Sequence, residues 1–187
     1  MDEKEIESSF EDIKQLFRET DLIIKETAQR QKETDKQLKE LGKQIGGLGN
    51  KFGSFTEGMA FPSMQRILMD KFKMEFVSPR VKVRKNGETI ELVVFAYANA
   101  EINKVYVVEV KSHVRSNDLE KMIDDLKRLP RFFPEHKNKT LYGILAAVDV
   151  TDEMKKQILD SGIYLALIRD DTFCLDVPEN FKPKRFN

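Results

Sequence analysis

Thirteen positions in the first quarter of the chain are spaced alternately three and four residues apart. They are Ile6, Phe10, Ile13, Phe17, Thr20, Ile24, Thr27, Gln31, Thr34, Leu38, Leu41, Ile45 and Leu48. That spacing is an a/d helical seam, and a strand cannot satisfy it. No proline interrupts residues 6–48, and no glycine precedes Gly42. The seam is apolar at both ends and polar through Thr27, Gln31 and Thr34, a pattern that weakens a coiled coil while setting its register. A single amphipathic helix has nothing to bury against except another helix. Self-association through residues 6–48 is therefore expected; folding back onto the rest of the chain is the other possibility.

Composition separates this segment from the remainder of the chain. Residues 1–50 hold nine Lys/Arg and twelve Asp/Glu, and the remaining residues hold 23 and 20. The whole chain is formally neutral, so a polyanion would have to be met by a local basic patch. Hydrophobic residues make up 40% of the 187, enough for one globular core with an appendage. Cys174 is the only cysteine, so no intrachain disulfide forms and a reducing compartment is expected. The start, Met1-Asp2-Glu3-Lys4-Glu5, lacks an apolar signal region, and no run is apolar enough to span a membrane. The cytoplasm is the expected location.

Gly42, Gly46, Gly47, Gly49 and Gly53 read as a hinge or helix break, with domains at 1–48 and 49–187. Gly47-Leu48-Gly49 could suggest a nucleotide loop, but without a preceding strand or a P-loop lysine-serine pair that reading is very weak. Residues 55–72 read as a helix that Pro62 kinks or restarts. Arg80 to Arg84 alternates with period two, and Asn86-Gly87 marks a hairpin whose return strand covers residues 89–96. A third strand covers residues 104–112. Asn117-Asp118-Leu119-Glu120 resembles a capping box opening a helix that Pro130 ends. Residues 141–148 form a buried strand, Thr151-Asp152-Glu153 opens another helix, and Gly162 caps it. Residues 163–168 and 172–177 are further strands. The order implies an α/β sandwich with a mixed sheet.

The third strand, Val105-Tyr106-Val107-Val108-Glu109-Val110-Lys111-Ser112, is apolar until it turns ionic at its end. Alternation puts Glu109 and Lys111 on one face, roughly 7 Å apart. A carboxylate and an ammonium at the tip of a core strand suit a metal-assisted hydrolase, the first holding Mg²⁺ and the second a point charge near a reacting phosphate.

An α-β-β-β-α-β order with Glu-x-Lys ending the third strand resembles the PD-(D/E)XK superfamily, the restriction-endonuclease-like nucleases, over roughly residues 53–170. More narrowly, the chain resembles an uncharacterised prokaryotic group in which a coiled coil and a Gly-rich joint precede such a domain. The residues carrying that likeness are Gly46 to Gly53 with Glu57, Glu91 to Ala96, and Val107 to Ser112. The resemblance implies a Mg²⁺-dependent phosphodiesterase acting on nucleic acid, with Glu57, Glu109 and an acid on the second strand as metal ligands and Lys111 beside the reacting phosphate. The family segment reads Glu-x-Asp where this chain has Glu91-Leu92-Val93. Valine cannot ligate a cation, and Glu91, one strand repeat away, is a doubtful substitute.

Simpler readings accompany these. Glu109 and Lys111 could be a solvated strand end, Glu57 a helix-surface carboxylate, and Glu91 a salt-bridging residue. His113 could touch a phosphate, but His113 and His136 lack metal-ligand spacing. Arg80, Lys82 and Arg84 could follow a nucleic-acid backbone or simply charge an edge strand. Lys182, Lys184 and Arg185 form a basic tail with no assigned role. The expectation is a nuclease-like protein whose site is degenerate at Val93; the alternative is a non-catalytic nucleic-acid- or protein-binding module on a coiled-coil scaffold. A third possibility makes the coil the working part and the globule a passive end.

Overall fold

The computed structural model describes residues 3–186, and the side chains of residues 3–12, 46 and 50 are not described. The side chains of Ile6 and Phe10 of the seam, and the whole of Met1-Asp2 of the acidic start, therefore lie outside the described part of the structure. Contacts divide the chain into two compact units that meet between Asn50 and Lys51.

In the first unit, every described side chain from residue 13 to 49 is exposed. The helix there belongs to α1, Glu3–Arg66. The expected break at Gly42–Gly53 is absent, because α1 runs through those glycines and through Pro62. A helical glycine costs about 1 kcal/mol relative to alanine but does not forbid the conformation. One π-helical turn, Ile67–Lys71, ends this stretch. Among the described residues no helix is long and apolar enough to cross a membrane.

The second unit is a six-stranded sheet in sequential order: β1 (Phe76–Lys85), β2 (Glu88–Ala98), β3 (Lys104–His113), β4 (Thr140–Asp149), β5 (Tyr164–Arg169) and β6 (Thr172–Leu175). The first three strands are antiparallel, and Asn86 and Gly87 both take the positive φ that their tight turn requires. β3, β4 and β5 are parallel, joined through α2 (Ser116–Phe132) and α3 (Asp152–Asp160). β6 returns antiparallel. This is a mixed α/β fold consistent with a restriction-endonuclease-like core, following a long N-terminal helix.

Burial on both faces explains the apolar continuity of β3 and β4. One face packs Val105, Val107, Leu145 and Leu165 under Leu119, Met122 and Leu126 of α2 and Ile158 of α3. The other packs Tyr106, Val108, Ile144 and Ala166 against Ala60 and Met64 of α1 and Leu68 of its π-helical extension. α2 continues past Pro130 to Phe132, so proline does not end it there. The basic tail is tied down: the Lys184 amide donates to the Gly162 carbonyl at 2.9 Å, and Phe186 is buried in the first core.

Candidate functional site

The sheet forks. β2 and β3 pair only from Val94–Val108 to Ala98–Lys104. Beyond that point the early residues of β2 stay with β1, and Glu109 to His113 stay with β4. Val93 and Glu109, which the same register would oppose, begin the two prongs.

The fork coincides with a slip in alternation on β2. Ile90, Leu92 and Phe95 face the α2 side, whereas Val94, Ala96 and Ala98 face the α1 side, and Val93 packs with the latter. Two neighbours, Val93 and Val94, thus share a face. The slip is matched on β1, where Val77 packs with the α1-side core but Val81 and Val83 with the α2-side core. Between them stands Arg80 with φ 53°, a left-handed conformation costing a non-glycine residue about 1–2 kcal/mol.

A cleft of about 420 Å³ opens at the fork. It is lined by Glu57 of α1, Arg80 and Lys82 of β1, Glu91 and Val93 of β2, Glu109 and Lys111 of β3, and Lys121 of α2. Glu57, Glu91, Glu109, Lys111 and Val93, distant in the chain, therefore border one space. Arg84 and His113 do not line it; His113 Nδ1 instead meets Asp149 Oδ2 at 2.7 Å on the exposed ends of β3 and β4.

Two of the three cleft glutamates are already occupied. Lys111 Nζ lies 2.9 Å from Glu109 Oε1 and 3.5 Å from Asp118 Oδ1. Burial disfavours the Lys111 ammonium, yet hydrogen bonds and charge from Glu109 and Asp118 outweigh that and raise its pKa. Glu91 is bound by Lys82. That hydrogen bond, and then the Lys82 charge, holds the Glu91 carboxyl below the usual carboxylate range.

These residues do not fit a divalent cation. Mg²⁺ needs several oxygens converging at about 2.1 Å. Among the described residues no group of three or more His, Cys, Asp or Glu side chains is placed to hold a metal ion. Val93 offers only carbon, and Glu91 and Glu109 are each held by a lysine.

Two site residues escaped sequence reasoning. Asp118 was legible as a helix-start residue, and its Oδ2 does accept the Arg115 amide at 2.9 Å. Its reach to Lys111 depends on how the β3–α2 connection folds. Lys121 is three residues on, one helical turn along α2, and so lies near Asp118 on that helix. Only its proximity to a carboxylate that itself faces a strand tip could have singled it out.

No family model and no curated protein matches this chain significantly. Among solved structures, the chain is similar to protein VC1899 from Vibrio cholerae, with 20% identity over 57% of this chain and 27% of that one and a TM-score of 0.43. It is similar to a repair endonuclease from Pyrococcus abyssi, with 16% identity over 59% of this chain and 47% of that one and a TM-score of 0.38. It is also similar to EndoMS in complex with double-stranded DNA, with 14% identity over 59% of this chain and 45% of that one and a TM-score of 0.37. The chain spans less than half the length of each of these three proteins.

Proposed function

We propose that the globular unit is a nuclease-like domain that binds nucleic acid along its phosphodiester backbone without cutting it. One observation carries this reading. At the fork, Lys111 holds Glu109, Lys82 holds Glu91, and Val93 stands where a metal-binding acid would be needed. Outside those two ion pairs the cleft retains Arg80 and Lys121 against Glu57, a small positive balance. Phosphates are the ligand such a lining suits. A protein partner ranks second, because among the described residues Val81, Leu92 and Val93 supply the only apolar side chains in the cleft.

We also propose that residues 1–48 are a coiled-coil scaffold presenting a domain that begins near residue 49. Exposed Ile13, Phe17, Ile24, Leu38, Leu41, Ile45 and Leu48 along the seam support this.

Metal-dependent hydrolysis is a second reading, favoured by the presence of Glu57, Glu91 and Glu109 around one cleft. Labelled DNA and RNA incubated with Mg²⁺ or Mn²⁺ separate the two. The wild type is expected to bind without cleaving. Val93→Asp is expected to gain Mn²⁺ binding by calorimetry, while losing about 1–3 kcal/mol of stability because position 93 is half-buried. Cleavage by the wild type, abolished by Lys111→Ala, would establish the enzyme instead.

A further inference from the structure

We infer that Arg80 is the phosphate clamp of the cleft, and that its left-handed backbone is retained because it delivers the guanidinium there. This deepens the nucleic-acid reading and rests on it.

The first observation is where the strain lies. Lys73, Asn86, Ala100, Asn103 and Asp170 also have positive φ, but each stands in a turn or loop. Arg80 is the only one within a strand among the described residues. The usual reason for such a residue in a strand is an inserted position that the partner strand must accommodate. That reason fails here: Pro79 opposes Val94 and Val81 opposes Leu92, so the register is the same on both sides.

The second observation is what the conformation accomplishes. Arg80 borders both the cleft and an adjoining hollow of about 200 Å³, and Glu57 and Val93 border both as well. Arg80 stands between Val77, which packs with the α1-side core, and Val81, which packs with the α2-side core, at the point where β1 changes face.

The third observation is charge. Lys82 and Lys111 are each engaged by a carboxylate, whereas Arg80 and Lys121 have no carboxylate oxygen within 4.0 Å among the described residues. A planar guanidinium with no acid of its own, beside a valine rather than an aspartate, suits bidentate contact with a phosphate. Strained residues persist only where the surrounding structure over-determines them, and they cluster at active sites and ligand clamps.

Fluorescence anisotropy on the full chain tests this, using labelled single-stranded DNA, double-stranded DNA and RNA of one sequence over a range of salt concentrations. Asparagine tolerates the left-handed region, so Arg80→Asn keeps the backbone and removes the charge. It is expected to weaken binding roughly tenfold and to lower the slope of log affinity against log salt by about 1. Arg80→Lys is expected to keep that slope, since it keeps the charge. Unchanged affinity and slope in Arg80→Asn would overturn the clamp and leave the nucleic-acid reading standing. A wild type that binds none of the three polymers would overturn both. If Arg80→Asn does not fold, Arg80→Gly, which accepts the same φ without strain, is judged by the same criteria.

Discussion

Lys111 is partly buried, with a side chain 29% exposed, and stays protonated because Glu109 and Asp118 flank it. A lysine whose pKa rises on folding stabilises the fold fully below about pH 10 and loses that contribution as pH climbs through the folded value. At neutral pH, then, its charge is committed to its own neighbours. Asp176 presents the opposite case. A hydrogen bond from Lys155, opposed by burial, together with the Lys155 charge and Arg169 at 3.0 Å, holds its carboxyl below the usual range. The resulting stability is present above the unfolded aspartate pKa of about 3.9 and is lost as pH falls through the lower folded value. Asp176→Asn should cost about 1–3 kcal/mol at pH 7. Urea unfolding at pH 7 and at pH 3 checks this, because the gap between wild type and variant should narrow at the lower pH.

At the scale of elements, caps and turns obey local chemistry. Thr151 accepts the Met154 amide at 3.3 Å and opens α3, and Gly162, with φ 75°, ends it. A Cβ at 162 would stand 2.6 Å from the Lys184 backbone nitrogen, so the position is closed by both conformation and space. Gly162→Ala should destabilise by about 2–4 kcal/mol, read as a lower urea midpoint at unchanged slope. α1 poses the reverse question, an apolar stripe without cover. Leu38 and Leu41 are 61% and 51% exposed and stand on the seam. Replacing both with lysine should lower the solution mass measured by light scattering, because charge at a and d positions opposes helix pairing. An unchanged mass would remove the seam from the assembly.

At the scale of the molecule, the two units obey different physics. Residues 51–187 bury aliphatic and aromatic side chains on both faces of a sheet, so this unit should fold without the first fifty residues. A chain starting at Lys51 should unfold in one cooperative thermal transition and remain monomeric, while the full chain is expected to be larger than a monomer by light scattering. The separated unit should also keep the nucleic-acid affinity proposed for the cleft, because every residue lining the cleft lies beyond residue 50. Any greater affinity of the full chain would then come from multivalency.

Much of the fold is legible in the sequence because it rests on local rules. The period-two run around Arg80–Arg84, Asn86-Gly87, the valine-rich β3, the cap at Thr151 and Gly162 each reflect interactions spanning a few residues. The glycines at 42–53 mislead, since helix propensity is a weak bias that a long helix can absorb. The residue types at the strand tips, Glu109 and Lys111 on β3 and Glu91-Leu92-Val93 on β2, are also legible. Their partners are not. Lys111 with Asp118, Lys82 with Glu91, and Arg80 beside Val93 depend on where β2 leaves β3 and where both β1 and β2 slip by one residue. Sequence by itself determined which residues could carry charge to the ends of these strands. Only the tertiary structure decided that Glu91 and Glu109 would be neutralised by lysines and that Arg80 would line the cleft. Ion pairing falls off over a few ångströms, and those ångströms are set by strand divergence, which local sequence does not encode.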